Sequence, residues 1–268
     1  MADPVSFHRA RPGGVLSRFV DYFWMYSGYA QPHRQERVLP TGAVELVFRV
    51  NADGTSASGV AGPRSSAMLL DTSQPFSVIA VHFKPGGGFP FFGVPARELR
   101  NQSVDLDLLW GRGAARVRDR LLEAQAPDDR FAILEQALID SARGFECDAA
   151  VRYALVEFER SNGARRVTDV VEKAGVSWNR LLGRFQAEVG LTPKAFCRLR
   201  RFNAVLSAVD GRREVNWTEV ALACGYFDQA HFNHDFRDFT GLSPSEYLHD
   251  RVSRRHVAVV EQGTATNE

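Results

Sequence analysis

The chain has 268 residues, a formal net charge of +1, and 44% hydrophobic, 11% aromatic and 24% charged side chains. That composition excludes a disordered, collagen-like or disulfide-scaffold chain, and the length suits two compact domains. No stretch approaches the roughly 18 apolar residues of a membrane span, and Asp3, His8, Arg9 and Arg11 stand where a signal peptide needs an apolar run, so a cytoplasmic protein with no membrane partner is expected.

The first hundred residues read as strands. Val20 to Ser27, Val44 to Val50 and Phe76 to Phe83 are rich in β-branched and aromatic residues, with Gly/Pro/Asn/Asp clusters between them. The run Pro85-Gly-Gly-Gly-Phe-Pro-Phe-Phe-Gly93 is too dense in Gly and Pro to extend a strand and is expected to bend over its own aromatics. Near residue 95 the period changes to helical. Val117, Leu121 and Leu122 precede Pro127-Asp128-Asp129, a helix start, and then Phe131, Leu134 and Leu138. A further helix from about Asp148 to Arg160 ends at Ser-Asn-Gly163. The expected division is a β-rich sensing or dimerisation domain at 1–111, a helical connector at 112–146, an all-α domain at 147–251 and a tail at 252–268.

The last third repeats itself. Thr168, Val170, Ala174 and Gly175 recur 50 residues later as Thr218, Val220, Cys224 and Gly225, and from Leu181 and Phe185 onward the spacing becomes 51, to Phe232 and Phe236. In each copy a short helix ends at a glycine, Ser177 or Asp228 stands where an N-cap is wanted, and a second helix follows. Gly190 or Gly241 closes it, and Thr-Pro193 or Ser-Pro244 opens the next helix. Short helix, sharp turn and second helix is the arrangement that lays its second helix in a DNA major groove. Lys194 to Val209, sixteen residues of helical periodicity, makes a strut of about 24 Å between the units.

The pattern AGVSWNRLLGRFQAEVGLTPKAF followed by VALACGYFDQAHFNHDFRDFTGLSPSEYL resembles the two-motif DNA-binding domain of the AraC/XylS transcription regulators. The segments VLPTGAVELVF and VHFKPGGGFPFFGVPARELRNQSVDLDLLWG resemble the small N-terminal domain, described as cupin-like, that precedes this module in one subgroup. The resemblance implies an α+β multidomain chain and a sequence-specific regulator. Its expected partner is double-stranded DNA, with a small-molecule effector, RNA polymerase and a second copy of the chain as further candidates.

On the first reader helix, Trp178, Asn179 and Arg180 are the expected base contacts, because Asn and Arg suit adenine and guanine edges and Trp packs on sugar or a thymine methyl. Gly183 stands where family members often carry a larger polar side chain. Arg165, Arg166, Arg184, Lys194, Arg198 and Arg237 are assigned to phosphates. The second reader helix offers Gln229, His231, Asn233 and His234. Residues 160–213 carry 12 basic and 4 acidic side chains, whereas 214–250 carry 1 and 7, and Asp228, Asp235 and Asp238 are expected to make the second unit's surface acidic. The first motif should therefore supply most of the affinity.

Other signals are thinner. Cys147, Cys197 and Cys224 fit neither a disulfide framework nor zinc spacing, and read as reduced buried thiols. His231 and His234 lack a third metal ligand at usable spacing, while His33 and His82 lack a His-x-His pair or a following acid. No G-x-S-x-G, H-E-x-x-H or phosphate-loop motif occurs, so no enzyme, metal or cofactor is expected. Phe23, Trp24, Tyr26 and Phe83 are the first place to look for a ligand pocket, against the competing reading of plain core. The rival to a regulator is a cupin-like metal-dependent enzyme carrying a DNA-binding tail, which requires metal at His82.

Overall fold

The computed structural model describes residues 6–30, 34–252 and 257–258. Eight strands are concentrated in the first half: β1 (Ser6–Ala10), β2 (Val20–Tyr29), β3 (Gln35–Val38), β4 (Glu45–Asn51), β5 (Ser56–Ala61), β6 (Met68–Asp71), β7 (Phe76–Phe83) and β8 (Ser103–Asp105). Six of them form one antiparallel sheet in the order β1-β2-β7-β4-β5-β8, and β3 pairs with β6 in a smaller sheet that Val257–Ala258 joins in parallel. The central strand β7 is apolar at nearly every position because both of its neighbours and both of its faces are covered. The Pro85–Gly93 bend contains the single-turn helix α1 (Phe89–Phe92), with Phe91 and Phe92 buried beneath it.

After α2 (Ala96–Leu99) come α3 (Leu106–Trp110), α4 (Arg112–Glu123) and α5 (Pro127–Ser141). Ala114, Val117 and Leu121 of α4 and Phe131, Leu134 and Leu138 of α5 join Phe23, Leu46, Phe48, Val81 and Phe83 in one core. The segment read as a connector is thus packed into the first domain. Its apolar stripes need cover, and the inner face of the sheet supplies it. A second core lies in α6 (Ala149–Arg160), α7 (Val167–Lys173), α8 (Trp178–Val189), α9 (Pro193–Ala208), α10 (Trp217–Ala223), α11 (Gln229–Thr240) and α12 (Pro244–Val252). The β-rich first half and the helical second half agree with the expected fold class.

The two halves meet along a seam. Leu39, from the first half, is buried in the second core, and the Ala67 amide donates to the Phe239 carbonyl at 2.7 Å. Arg37 Nη1 on β3 donates to the Thr240 carbonyl at 2.7 Å, a cation on the last free carbonyls of α11. Gly190 closes α8 at φ +81, and a Cβ there would fall 2.8 Å from the Ala96 carbonyl and 2.4 Å from Pro63. Gly190→Ala is therefore expected to cost about 1–2 kcal/mol for the left-handed backbone alone and to push the domains apart. Calorimetry should show a lowered melting temperature, and limited proteolysis faster cleavage between α5 and α6. An unchanged melting temperature and cleavage rate would show that the seam tolerates the methyl.

Candidate nucleic-acid interface

The first unit is built from local signals. α7 ends at Gly175, φ +66, which turns the chain, and the Ser177 hydroxyl accepts from the Arg180 amide at 3.3 Å to cap α8. Leu181, Phe185 and Val189 face inward, where Phe158, Phe185 and Phe196 meet with ring centroids 5.7–6.4 Å apart. What remains outside is Trp178, 45% exposed, with Asn179, Arg180, Gly183 and Arg184. Arg180 and Arg184 both stand 3.9 Å from Asp148 Oδ2, long ion pairs that leave their guanidinium groups largely in solvent. Nothing lies within 4 Å of a Cβ built on Gly183. Behind this helix the buried Glu188 carboxylate accepts from the Asp148 amide at 3.2 Å, and burial pushes its pKa up.

The second unit repeats the device. Gly225, φ +83, turns the chain, Asp228 accepts from the His231 amide at 2.7 Å, and Gly241, φ +75, closes α11. Phe232 and Phe236 pack with Trp217 at ring centroids 5.7–5.8 Å, and Phe236 reaches Tyr247 at 5.3 Å. Gln229, Ala230, His231, Asn233, His234 and Arg237 are exposed. All seven residues expected to touch bases therefore lie on the outer faces of two capped helices.

The charges are arranged differently from the expectation. Asp235, counted as surface acid, is 1% exposed, and its Oδ1 accepts from Arg198 Nε at 3.0 Å and Nη2 at 2.7 Å. Arg198 Nη2 also donates to Asp238 Oδ2 at 2.8 Å. Arg198, assigned to phosphate, is thus engaged inside the protein, and its one positive charge is shared between two of the three acids counted on the second unit and offsets one of them. Asp228 spends its carboxylate on the cap. Arg165 is likewise paired, with Glu157, whereas Arg166, Lys194 and Arg237 are exposed. His234 Nδ1 sits 3.4 Å from Asp238, and His231 Nε2 sits 3.7 Å from Asp235 Oδ2. Among the described residues His234, Asp235 and Asp238 are the one group of three candidate metal ligands, but the Arg198 guanidinium already holds Asp235 Oδ1 and Asp238 Oδ2.

In the β-rich half, His82 is buried and closed: its Nδ1 lies 2.9 Å from Glu45 Oε1, and its ring stacks on Tyr22 at 4.7 Å. Glu45 stands directly across the strands from His82, so the acid absent after it in sequence comes from the neighbouring strand. His33 lies outside the described residues. The aromatic set proposed as a pocket does not converge. Phe23 and Phe83 belong to the core under the helices, while Trp24 and Tyr26 point to the opposite face, because successive strand residues alternate. The three cysteines are free, and burial pushes the Cys197 thiol up to about 12, consistent with an unreactive core residue.

One surface residue escaped the sequence reading. Phe227 is 87% exposed, immediately before the Asp228 cap of α11. The signal was present: between Gly225 and Asp228 the second copy has one residue more than the first has between Gly175 and Ser177, which is why the repeat spacing grows from 50 to 51.

Residues 170–250 match the family described as a helix-turn-helix domain, and residues 8–105 match a domain of unknown function (DUF6597). The resemblance to the AraC/XylS regulators therefore stands, and the chain carries a DNA-binding domain of that type. No curated protein matches it. Among solved structures it is similar to apo ToxT from Vibrio cholerae, at 12% identity and TM-score 0.42 over 85% of this chain and 97% of that one. It is also similar to the C-terminal domain of AraT, a response regulator from Geobacillus stearothermophilus, at 21% identity and TM-score 0.36 over 45% of this chain and 98% of that one.

Replacing Arg198 tests its place. Arg198→Ala leaves Asp235 buried without a counter-charge and is expected to lower stability by about 3 kcal/mol in urea unfolding, whereas exposed Lys194→Ala should stay within about 0.5 kcal/mol of the parent. If Arg198→Ala unfolds like the parent yet loses DNA affinity, the phosphate assignment is the correct one.

Proposed function

We propose that this chain, which carries a helix-turn-helix domain of the AraC type, is a sequence-specific DNA-binding transcription regulator whose β-rich half modulates the DNA-binding half. The observation that carries this reading is the pair of capped helices, α8 and α11, each presenting polar side chains outward from a core rich in phenylalanine. The sixteen-residue helix α9 between them spans about 24 Å, a length suited to setting two helices in successive major grooves about 34 Å apart. One chain then covers about two turns of duplex.

Trp178, Asn179 and Arg180 would read bases from α8, and Gln229, His231, Asn233 and His234 from α11. Arg166, Arg184, Lys194 and Arg237 would hold phosphates. The first motif still carries more free cations. The second is less repulsive than its sequence suggests, because Arg198 bridges Asp235 and Asp238 and offsets one of their two charges. Phe227 stands at the groove-entering end of α11, where an exposed aromatic ring can pack on deoxyribose or a thymine methyl. Modulation follows from the seam: a ligand or a second copy that shifts the first domain shifts the ends of both reader helices.

The test is selection of random duplex DNA by the full-length protein at two salt concentrations. An enriched motif about two turns long supports the reading, and recovery of only unpatterned, salt-labile DNA overturns it. On the selected site, Arg180→Ala is expected to raise Kd about 10- to 100-fold, and more than His234→Ala; the reverse order would place the affinity in the second motif. Phe227→Ala should raise Kd about fivefold with the salt dependence unchanged, since an apolar contact releases no counterions.

A further inference from the structure

We infer that Asp148 is an intramolecular rival of DNA for Arg180 and Arg184: its carboxylate holds both guanidinium groups of α8 when DNA is absent and surrenders them when DNA binds. The inference rests on the proposed regulator reading. Asp148 lies outside both helix-turn-helix units. It caps the N-terminus of α6, and its two oxygens divide the work. Oδ1 accepts from the Ala150 amide at 2.8 Å and from the Val151 amide at 3.3 Å. Oδ2 faces α8, 3.9 Å from Arg180 Nη2 and 3.9 Å from Arg184 Nε.

The geometry suits a hold that can be broken. The Asp148 side chain is 13% exposed, whereas those of Arg180 and Arg184 are 64% and 60% exposed. A carboxylate with so little water around it is screened less than a fully solvated one. At 3.9 Å neither contact is a hydrogen bond, so no directional bond has to be replaced before the arginines move. Arg180, Arg184 and Glu188 follow one another at intervals of four residues, which puts all three on one edge of the helix, facing residue 148. The buried Glu188 accepts from the Asp148 amide with Oε1 at 3.2 Å and Oε2 at 3.3 Å, and so fixes the backbone that carries the competing carboxylate.

Residue 148 also stands where the chain crosses from one domain to the other. Phe145 and Cys147 pack against the first core, while Ala150 and Val151 join the second. The Phe145 ring lies 5.7 Å from that of Phe19 and 6.3 Å from that of Phe91. Movement of this crossing changes the distance from Asp148 to the arginines, and the attraction falls as that distance grows. The first domain thereby has a route to DNA affinity that does not pass through the C-terminal ends of α8 and α11. The ion balance gives the rivalry a signature. An arginine that moves from Asp148 to a phosphate releases one cation from DNA, but the carboxylate it leaves takes one up, so salt dependence is blunted by about one ion.

The experiment compares the full-length parent with Asp148→Asn and Glu172→Gln by fluorescence anisotropy, on a selected operator and on a mixed-sequence duplex, across a salt series. Asparagine keeps the helix cap, and Glu172, an exposed acid on α7, reports the effect of losing a negative charge alone. Asp148→Asn is expected to lower Kd about three- to tenfold and to steepen the slope of log Kd against log salt by about 0.9, with the melting temperature unchanged. Glu172→Gln should shift Kd less than about twofold. In the Arg180→Ala, Arg184→Ala background, Asp148→Asn should change nothing further. Equal gains from Asp148→Asn and Glu172→Gln, or a gain that persists without the arginines, overturn the rivalry. Weaker binding by Asp148→Asn overturns it too, and makes Asp148 a support for the arginines. Phe145→Ala, which loosens the crossing, should alter Kd in the parent and not in Asp148→Asn; equal effects in both overturn the route from the first domain. If selection yields no operator, the regulator reading fails, and the salt needed to elute the same variants from heparin, a polyanion without bases, decides on Asp148 by itself.

Discussion

Gly190 and Gly241 end α8 and α11 in the left-handed conformation, Gly190 buried against Pro63 and Ala96 of the β-rich domain and Gly241, exposed, beside the Arg37 guanidinium of the same domain. Those two contacts fix where α8 and α11 end. A side chain at Gly190 would strike the Ala96 carbonyl, and Arg37 reaches across to the carbonyls that close α11. Helices held by their C-terminal ends present their N-terminal ends as a fixed pair. The first domain is therefore part of the mount, and α9 alone does not determine how far apart α8 and α11 stand.

The same logic explains where the polar groups are buried. Aspartate at 235 is tolerated at 1% exposure because Arg198, on a helix packed into the second core, satisfies Oδ1 with two charge-assisted hydrogen bonds. His82 and Glu45 solve the equivalent problem in the sheet, with a cross-strand pair and a tyrosine ring over the imidazole. In each case a residue type that suggests a site turns out to be a closed internal contact.

The helix-turn-helix units were legible because their signals are local: a cap, a turning glycine, an apolar pair four residues apart and a proline, all within about twenty-five residues of one another. The strands at Val20, Val44 and Phe76 were legible for the same reason. What sequence could not place were partners remote in the chain. The charge count for 214–250 had no knowledge that Arg198 lies over Asp235, and no spacing rule reaches from His82 back to Glu45. The helices α4 and α5 read correctly as helices, but their cover, the inner face of the sheet, comes from residues 23 to 83. The aromatic set was a different matter. Strand alternation by itself separates Phe23 from Trp24, so that misreading came from composition overriding period.

Gly183 sits in the middle of the exposed face of α8, with open space where a side chain would begin. Nothing in the core, the caps or the seam depends on its being small. The helix would gain intrinsic propensity from almost any replacement, since glycine is the weakest ordinary helix former. Such a position can be rewritten without renegotiating the scaffold. A larger side chain there would change what α8 presents to whatever it touches while leaving the fold as it is.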